Sequence, residues 1–257
     1  MPLRFAFAGD RRISVRVLDY LLERGCEPSA LLLSAPARAS HAAELEARLP
    51  GLSKNRVFRG TEFRSPAALA SLGSMELDYI VAVHFPYLVP HDLLRLPRAG
   101  VLNLHPAFLP FNRGWHTASW AILDGTPIGA TLHFMDEGVD TGDIVLRREL
   151  TITPGDTADV LYPRLEHLEL EVFQEAWPAI EDGTFERVPQ QPGEGSAHRK
   201  DELLRDEVQR IDPEASVRAG DLLRRLRALT TNAVSEAAYY EVDGVRYRVQ
   251  VSIEPDR

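Results

Sequence analysis

Leu3-Arg4-Phe5-Ala6-Phe7-Ala8-Gly9-Asp10, followed by Ile13 to Arg24, is the stretch whose reading decides the fold. Leu3 to Ala8 is an apolar run broken only by Arg4. It predicts a buried strand, ended by Gly9-Asp10. Val17, Leu18, Leu21 and Leu22 then recur at helical spacing. Working outward, the same alternation repeats. Ala30 to Leu33 reads as a strand, and Ala42 to Leu49 as a helix ended by Pro50-Gly51. Tyr79 to Val83 is a second β-branched apolar run, and a short helix follows near His91 to Leu96. Gly100 to Leu104 is a further strand. This order predicts an α/β fold with a mostly parallel sheet and helices on both faces.

Beyond that point the pattern changes. Ala118 to Leu123 reads as a helix stopped by Asp124-Gly125-Thr126-Pro127. Ile128 to Phe134 and Ile144 to Ile152 read as strands. Asp156 is expected to cap a long helix with Leu161, Leu165, Leu168, Val172 and Ile180 along one face. Pro163 lies early enough in it to be tolerated. Pro189, Pro192, Gly193 and Gly195 mark residues 183–198 as a linker. Residues 199–257 read as a small α+β unit, with an Arg-rich amphipathic helix (Ala219 to Leu229) and a hairpin around Asp243-Gly244. The expected division is therefore 1–182, a linker at 183–198, and 199–257.

Composition narrows the function classes. The formal net charge of -9 over 257 residues, with Lys54 and Lys200 the only lysines, argues against a large phosphate-backbone footprint. Nucleic acid is therefore not an expected partner. The single cysteine, Cys26, excludes an internal disulfide and a cysteine-cluster metal site, and reads as a buried thiol. No metal is expected. The N-terminal apolar run is too short for a signal peptide, and no stretch approaches a membrane span. A soluble cytoplasmic protein is expected.

The chemistry concentrates between Asn103 and Asp143. Asn103-Leu104-His105-Pro106 lies at the carboxyl end of an expected parallel strand, where ligands bind in open α/β sheets. Residues two apart on a strand point the same way, so an amide and an imidazole face one spot. Asp140 lies in the loop Asp136-Glu137-Gly138-Val139-Asp140-Thr141-Gly142, from which a carboxylate could reach back to the histidine. A donor, a titratable base and an acid suit acyl transfer: one holds an oxyanion, one moves a proton, one tunes the base. Spacing alone also allows a polar strand end and an ordinary turn.

Together, Asn103-Leu104-His105-Pro106 and the distal loop ending at Asp140 resemble the signature of the folate-dependent formyltransferase superfamily. Methionyl-tRNA, glycinamide ribonucleotide and sugar N-formyltransferases belong to it. The resemblance implies a Rossmann-like catalytic domain over residues 1–182, with N10-formyltetrahydrofolate as co-substrate. It implies Asn103, His105 and Asp140 as the catalytic residues, with a protonated His105 helping Asn103 to hold the oxyanion. It places the pterin against Phe85, Tyr87, Leu88 and Val89 and against Asp136, Gly138 and Val139. Core packing is the competing reading for Phe85 and Leu88.

The acceptor amine is read from the departures. Ala8-Gly9-Asp10-Arg11-Arg12 lacks the Gly-Ser phosphate loop of the purine-pathway enzymes. Residues 199–257 are too few, and too balanced in charge, for the basic barrel that grips tRNA. The helix and hairpin resemble the tail of sugar N-formyltransferases, which implies a nucleotide-linked amino sugar as substrate and a homodimer formed through the tail. Arg113, Gly114, Trp115 and His116 occupy the place of the acceptor loop. There Arg113 suits a phosphate or carboxylate, and Trp115 a base or sugar. A loop-fixing arginine and a packing tryptophan are the alternatives. His133 either meets substrate or fills the inner face of its strand. An amino-acid formyltransferase (for ornithine or hydroxyornithine), a methionyl-tRNA enzyme, and a folate- or nucleotide-binding module without turnover are the competing functions.

Overall fold

The computed structural model describes residues 3–256. The elements are β1 (Phe5–Gly9), α1 (Arg11–Glu23), β2 (Ala30–Leu33), α2 (Ala42–Ala47), β3 (Val57–Arg59), α3 (Pro66–Ser74), β4 (Tyr79–Val83), α4 (His91–Leu94) and β5 (Gly100–His105). There follow β6 (Arg113–Gly114), α5 (Thr117–Asp124), β7 (Ile128–Phe134), β8 (Ile144–Leu150), α6 (Ala158–Asp182), β9 (Ala197–His198), α7 (Asp206–Gln209), α8 (Ala219–Leu229), β10 (Ala238–Val242) and β11 (Val245–Val249). Seven strands form one sheet in the order β3-β2-β1-β4-β5-β7-β8. β1 to β5 pair in parallel, and β7 runs antiparallel to β5. The sheet is thus mostly parallel, as expected. β1, β2 and β4 are buried at every position, which is why they read as unbroken apolar runs.

Up to His105, two elements escape the sequence pattern for local reasons. β3 is a three-residue edge strand carrying Arg59. α3 has no apolar period; it is started by Pro66 at its first position and by Ser65, whose Oγ accepts from the Ala68 N–H at 3.2 Å. Asp156 is not the cap of α6. Its Oδ2 accepts from Thr153 N–H at 2.6 Å and pairs with Arg164 at 2.8 Å, closing the turn before the helix. The hydroxyl oxygen that accepts from Val160 N–H belongs to Thr157. Cys26 is half-buried rather than buried; its Sγ lies 3.1 Å from Glu181 Oε1, and burial pushes the thiol up.

The chain groups into two compact units. The first takes the chain up to His105, then Thr131–Leu146 and Glu169–Gln190. One of its apolar layers joins Ala6, Ala8, Leu32, Ile80, Ala82 and Val101 to Phe63 and Leu72. Trp177 sits edge-on to Phe5 and stacks on Phe173. The second unit takes Pro106–Ala130, Arg147–Leu168 and the chain from Gln191 onward. Leu161 and Leu165 pack there with Ala118, Ala121, Ile122 and Ala228, so the apolar face of α8 lies against α5. The β10–β11 hairpin turns at Asp243 (φ 50°) and Gly244 (φ 75°), the paired left-handed conformations of a type I′ turn. Of the stretch expected as a linker, Val188 exchanges two 2.9 Å backbone hydrogen bonds with Ile144. Among the described residues, no helix is long and apolar enough to cross a membrane.

Candidate active site

β5 carries its two polar side chains on one face because Asn103 and His105 are two residues apart. The antiparallel ladder sets Asn103 opposite His133, and His105 opposite Thr131, so all four share that face. Asn103 Nδ2 lies 3.1 Å from His133 Nε2. His133 Nδ1 lies 2.8 Å from the Phe134 carbonyl oxygen, which can only accept, so Nδ1 carries the proton. Nε2 is then left to accept from Asn103, and this bond fixes which way the Asn103 amide points. His133 itself is fully buried. It fills the inner face of its strand as a partner of Asn103.

Asp140 completes the group from the loop after β7. Its Oδ1 accepts from Asn103 Nδ2 at 3.4 Å and lies 3.6 Å from His133 Nε2. Its Oδ2 lies 3.4 Å from His105 Nε2, but the approach lacks hydrogen-bond alignment. The loop is built to present this carboxylate. Asp140 is held at φ 52°, in the left-handed region that Asp tolerates. Asp136 Oδ1 accepts from Gly138 N–H and from Thr141 Oγ, which ties the loop to itself. A Cβ at Gly142 would fall 2.0 Å from the Phe134 carbonyl oxygen, so only glycine fits there. The Gln190 amide donates to the carbonyls of Asp140 and Gly142, at 2.9 and 2.8 Å.

Burial holds His105 below the ordinary histidine range, while Asp140 pulls the other way. On that direction the imidazole favours its neutral form at pH 7 in the free protein. Next in line beside it, His84 follows directly on β4, whose last residue pairs with Leu104. His84 Nε2 lies 2.8 Å from Glu169 Oε1, and the Glu169 side chain is wholly buried. Neither residue is singled out by the sequence motifs. The available signal was Glu169 itself, one acid on the apolar face that Leu165, Val172 and Phe173 define on α6.

The expected pterin residues divide. Phe85 and Tyr87 pack on Phe63, with ring centroids 5.4 and 6.0 Å away, and the Tyr87 hydroxyl accepts from Ala35 N–H at 3.0 Å. Val89 packs partly buried on the same layer. Leu88 and Val139, by contrast, are exposed apolar side chains, at 77% and 52%. His91 Nε2 and Glu137 Oε1, 3.3 Å apart, link the segment after β4 to the acidic loop. Asp136 and Gly138 serve the loop's own geometry, as a Cβ at Gly138 would fall 2.0 Å from Thr141 Oγ.

The acceptor-loop residues belong to the second unit. Arg113 and Gly114 pair in parallel with Ala197 and His198. Gly114 has φ 91°, and a Cβ there would fall 2.4 Å from the His198 carbonyl oxygen. One η-nitrogen of Arg113 donates to the Glu194 carbonyl at 3.3 Å. Lys200 Nζ lies 4.6 Å from the centre of the Trp115 ring, which remains 39% exposed. His116 Nε2 lies 3.2 Å from the Lys200 carbonyl oxygen. Asn112, fully buried, donates to Thr126 Oγ at 2.9 Å and is a loop anchor. Among the described residues, no group of three His, Cys, Asp or Glu is arranged to hold a metal ion.

Comparison with known proteins fixes the class: a folate-dependent N-formyltransferase. The formyl transferase family model matches residues 12–177, and the chain belongs to that family. A model described as the N-formyltransferase dimerization C-terminal domain matches residues 205–255. A dTDP-4-amino-4,6-dideoxyglucose formyltransferase of Mycobacterium bovis is 32% identical over 181 residues, 70% of this chain and 75% of the relative. A methionyl-tRNA formyltransferase of Koribacter versatilis is 31% identical over 236 residues, 87% of this chain and 72% of the relative. A solved sugar N-formyltransferase from a Shewanella species, 20% identical, shares the fold with a TM-score of 0.82 over 100% of both chains.

Proposed function

We propose that this chain transfers the formyl group of N10-formyltetrahydrofolate to the primary amine of a nucleotide-linked amino sugar, with Asn103, His105 and Asp140 as the catalytic residues. The observation that carries this reading is the convergence of one half-buried carboxylate on both the amide and the imidazole, each 3.4 Å away. Two further observations fit a folate donor. His105 Nε2 is a buried polar atom with no aligned hydrogen-bond partner. The two segments expected to flank the pterin each present an exposed apolar side chain, Leu88 and Val139.

The donor supplies an electrophilic formyl carbon when bound. Asn103, its amide fixed by His133, turns the N–H that reaches Asp140 at 3.4 Å in the free protein toward the oxygen that gains negative charge as the amine attacks. His105, neutral in the free protein, is competent to accept the proton that the amine must lose. Asp140 then stabilises the imidazolium that forms 3.4 Å from its Oδ2, and that proton passes to the folate nitrogen as its bond to the formyl carbon breaks.

The acceptor assignment rests on the M. bovis relative and on the tail. Residues 199–257 carry basic and acidic residues in near balance, which opposes the tRNA alternative despite the longer match to a methionyl-tRNA enzyme. We take residues 1–182 as the catalytic part, 183–198 as its connection, and 199–257 as the dimer-forming part. Exposed Leu223, Val242, Val245 and Tyr247 support pairing of two copies through that tail. The unpaired thiol of Cys26 is compatible with a cytoplasmic setting. Arg113, Trp115 and His116 are read as acceptor-facing residues.

The test is a mass-spectrometric formylation assay with N10-formyltetrahydrofolate and a panel of amines. The panel holds nucleotide-linked 3- and 4-amino sugars, ornithine, hydroxyornithine and methionyl-tRNA. One formyl group gained on an amino sugar is expected. Transfer to tRNA or an amino acid alone would overturn the acceptor, and folate binding without any transfer would favour a binding module.

A further inference from the structure

A carboxylic acid with no water access is costly to bury unless something in the protein needs it. Glu169 is such a group. Its side chain is fully buried on α6, and among the described residues Oε1 pairs with His84 at 2.8 Å while Oε2 has no hydrogen-bond partner. Leu165, Val172 and Phe173, at helical spacing from it on α6, are buried and apolar, and an apolar side chain at 169 would need no partner. His84 is equally placed for a purpose. It follows directly on Val83, which pairs with Leu104, so the chain at His84 runs beside the end of β5 that carries His105, and it is held at φ 50°. Its side chain is 10% exposed.

We propose that Glu169 and His84 form a positioning pair for His105, a buried acid and imidazole that set its orientation and electrostatic surroundings for proton transfer. The inference rests on the reading of His105 as the group that handles the amine proton. Neither residue touches the reacting atoms in this arrangement. Asp140 lies 3.4 Å from His105 on the loop side, whereas Glu169 stands on α6 and meets His84. The groups that face His105 are Asp140 from the loop after β7, His133 from β7, His84 from the end of β4 and Glu169 from α6. Glu169 and Asp140 favour the charged ring; His133 and His84 oppose it.

These signs give the pair a signature that packing alone lacks. Glu169→Gln removes an acid and leaves His84, so the His105 titration moves to lower pH. His84→Gln keeps a donor for Glu169 but removes the opposing imidazole, so the same titration moves to higher pH. The experiment follows the His105 ring resonance by NMR against pH in the full-length protein and both variants, with circular dichroism to confirm folding. It reads His105 without turnover, so it stands or falls separately from the formylation assay. Kinetics of the active protein supply the second readout: a fall of about tenfold in kcat for Glu169→Gln, with KM for the folate donor within about twofold of the parent. Opposite movements in the two variants are expected. If Glu169→Gln fails to fold, His84→Gln must still move the titration upward. An unmoved His105 titration in a folded variant, or movement in the same direction in both, would overturn the proposal.

Discussion

Asn103, His105 and His133 stand on a ladder, whereas Arg113, Trp115 and His116 stand on a two-residue strand and the loop that follows it. The first group is buried and placed by regular geometry: alternation chooses the face, and antiparallel pairing sets Asn103 against His133. The second group is held by contacts within its own loops. Arg113 reaches the Glu194 carbonyl, Lys200 lies over the Trp115 ring, and His116 reaches the Lys200 carbonyl and lies 3.7 Å from Glu236 Oε1. A ladder residue cannot move without its strand, while a loop residue is placed by irregular contacts that differ from one loop to the next. Chemistry common to a family suits the first kind of placement, and recognition of a particular acceptor suits the second.

The largest expected effect lies in the ladder and the carboxylate facing it. His105→Ala and Asp140→Asn should each lower kcat by about 10²- to 10⁴-fold while folate affinity stays near that of the parent. Steady-state kinetics and a folate titration check this. Near-parental turnover in either variant would mean that the convergence on Asp140 is structural only.

The next effect is in pH. Burial depresses His105 below its ordinary value of 6.5. A base of lowered pKa is deprotonated in the neutral range, so kcat/KM should be flat near pH 7 and fall below pH 6.5. The same depression makes the unfolded chain the better proton acceptor. The contribution of His105 to stability is thus fully present above 6.5 and is lost as pH falls toward the folded-state value. A kcat/KM profile that already falls between pH 7.5 and 6.5 would show a base of raised pKa instead.

Much of this was legible in advance, and the exceptions have physical causes. The parallel strands announce themselves because burial on both faces demands unbroken apolar runs, and Asn103 and His105 are readable because a two-residue step keeps one face. The role of His133 depends on register, since its partner Asn103 lies thirty residues away on an antiparallel neighbour. Glu169 was visible as an acid on an apolar helix face, but its partner at the end of β4 was not. Gln190 sat in a Pro- and Gly-rich stretch whose composition hides two hydrogen bonds to the Asp140 loop. Asp156 was misread as a helix cap because Thr157, one position later, carries a side chain able to do the same work.

A substitution on the loop side should behave differently. Trp115→Ala is expected to raise the KM of the acceptor by about three- to tenfold through loss of ring stacking, with kcat within about twofold. Kinetics with the acceptor varied at saturating folate donor measure it. An unchanged KM would make Trp115 a support for Lys200 rather than a surface for substrate.

The smallest effect separates two roles within a single side chain. Tyr87 was expected at the pterin, yet its hydroxyl accepts from Ala35 N–H at 3.0 Å and its ring packs on Phe63 and Phe85. Tyr87→Phe keeps the ring and its packing and removes one hydrogen bond from a half-buried amide. It should lower unfolding stability by about 1 kcal/mol, as seen in urea denaturation, because Ala35 N–H loses its acceptor. Folate affinity should not change, since the packed ring survives. If affinity falls while stability holds, the hydroxyl serves the donor and the bond to Ala35 is incidental. If stability alone falls, Tyr87 belongs with the ladder, as a bolt between the segments after β2 and β4, and the exposed Leu88 and Val139 are left as the side chains that meet the pterin.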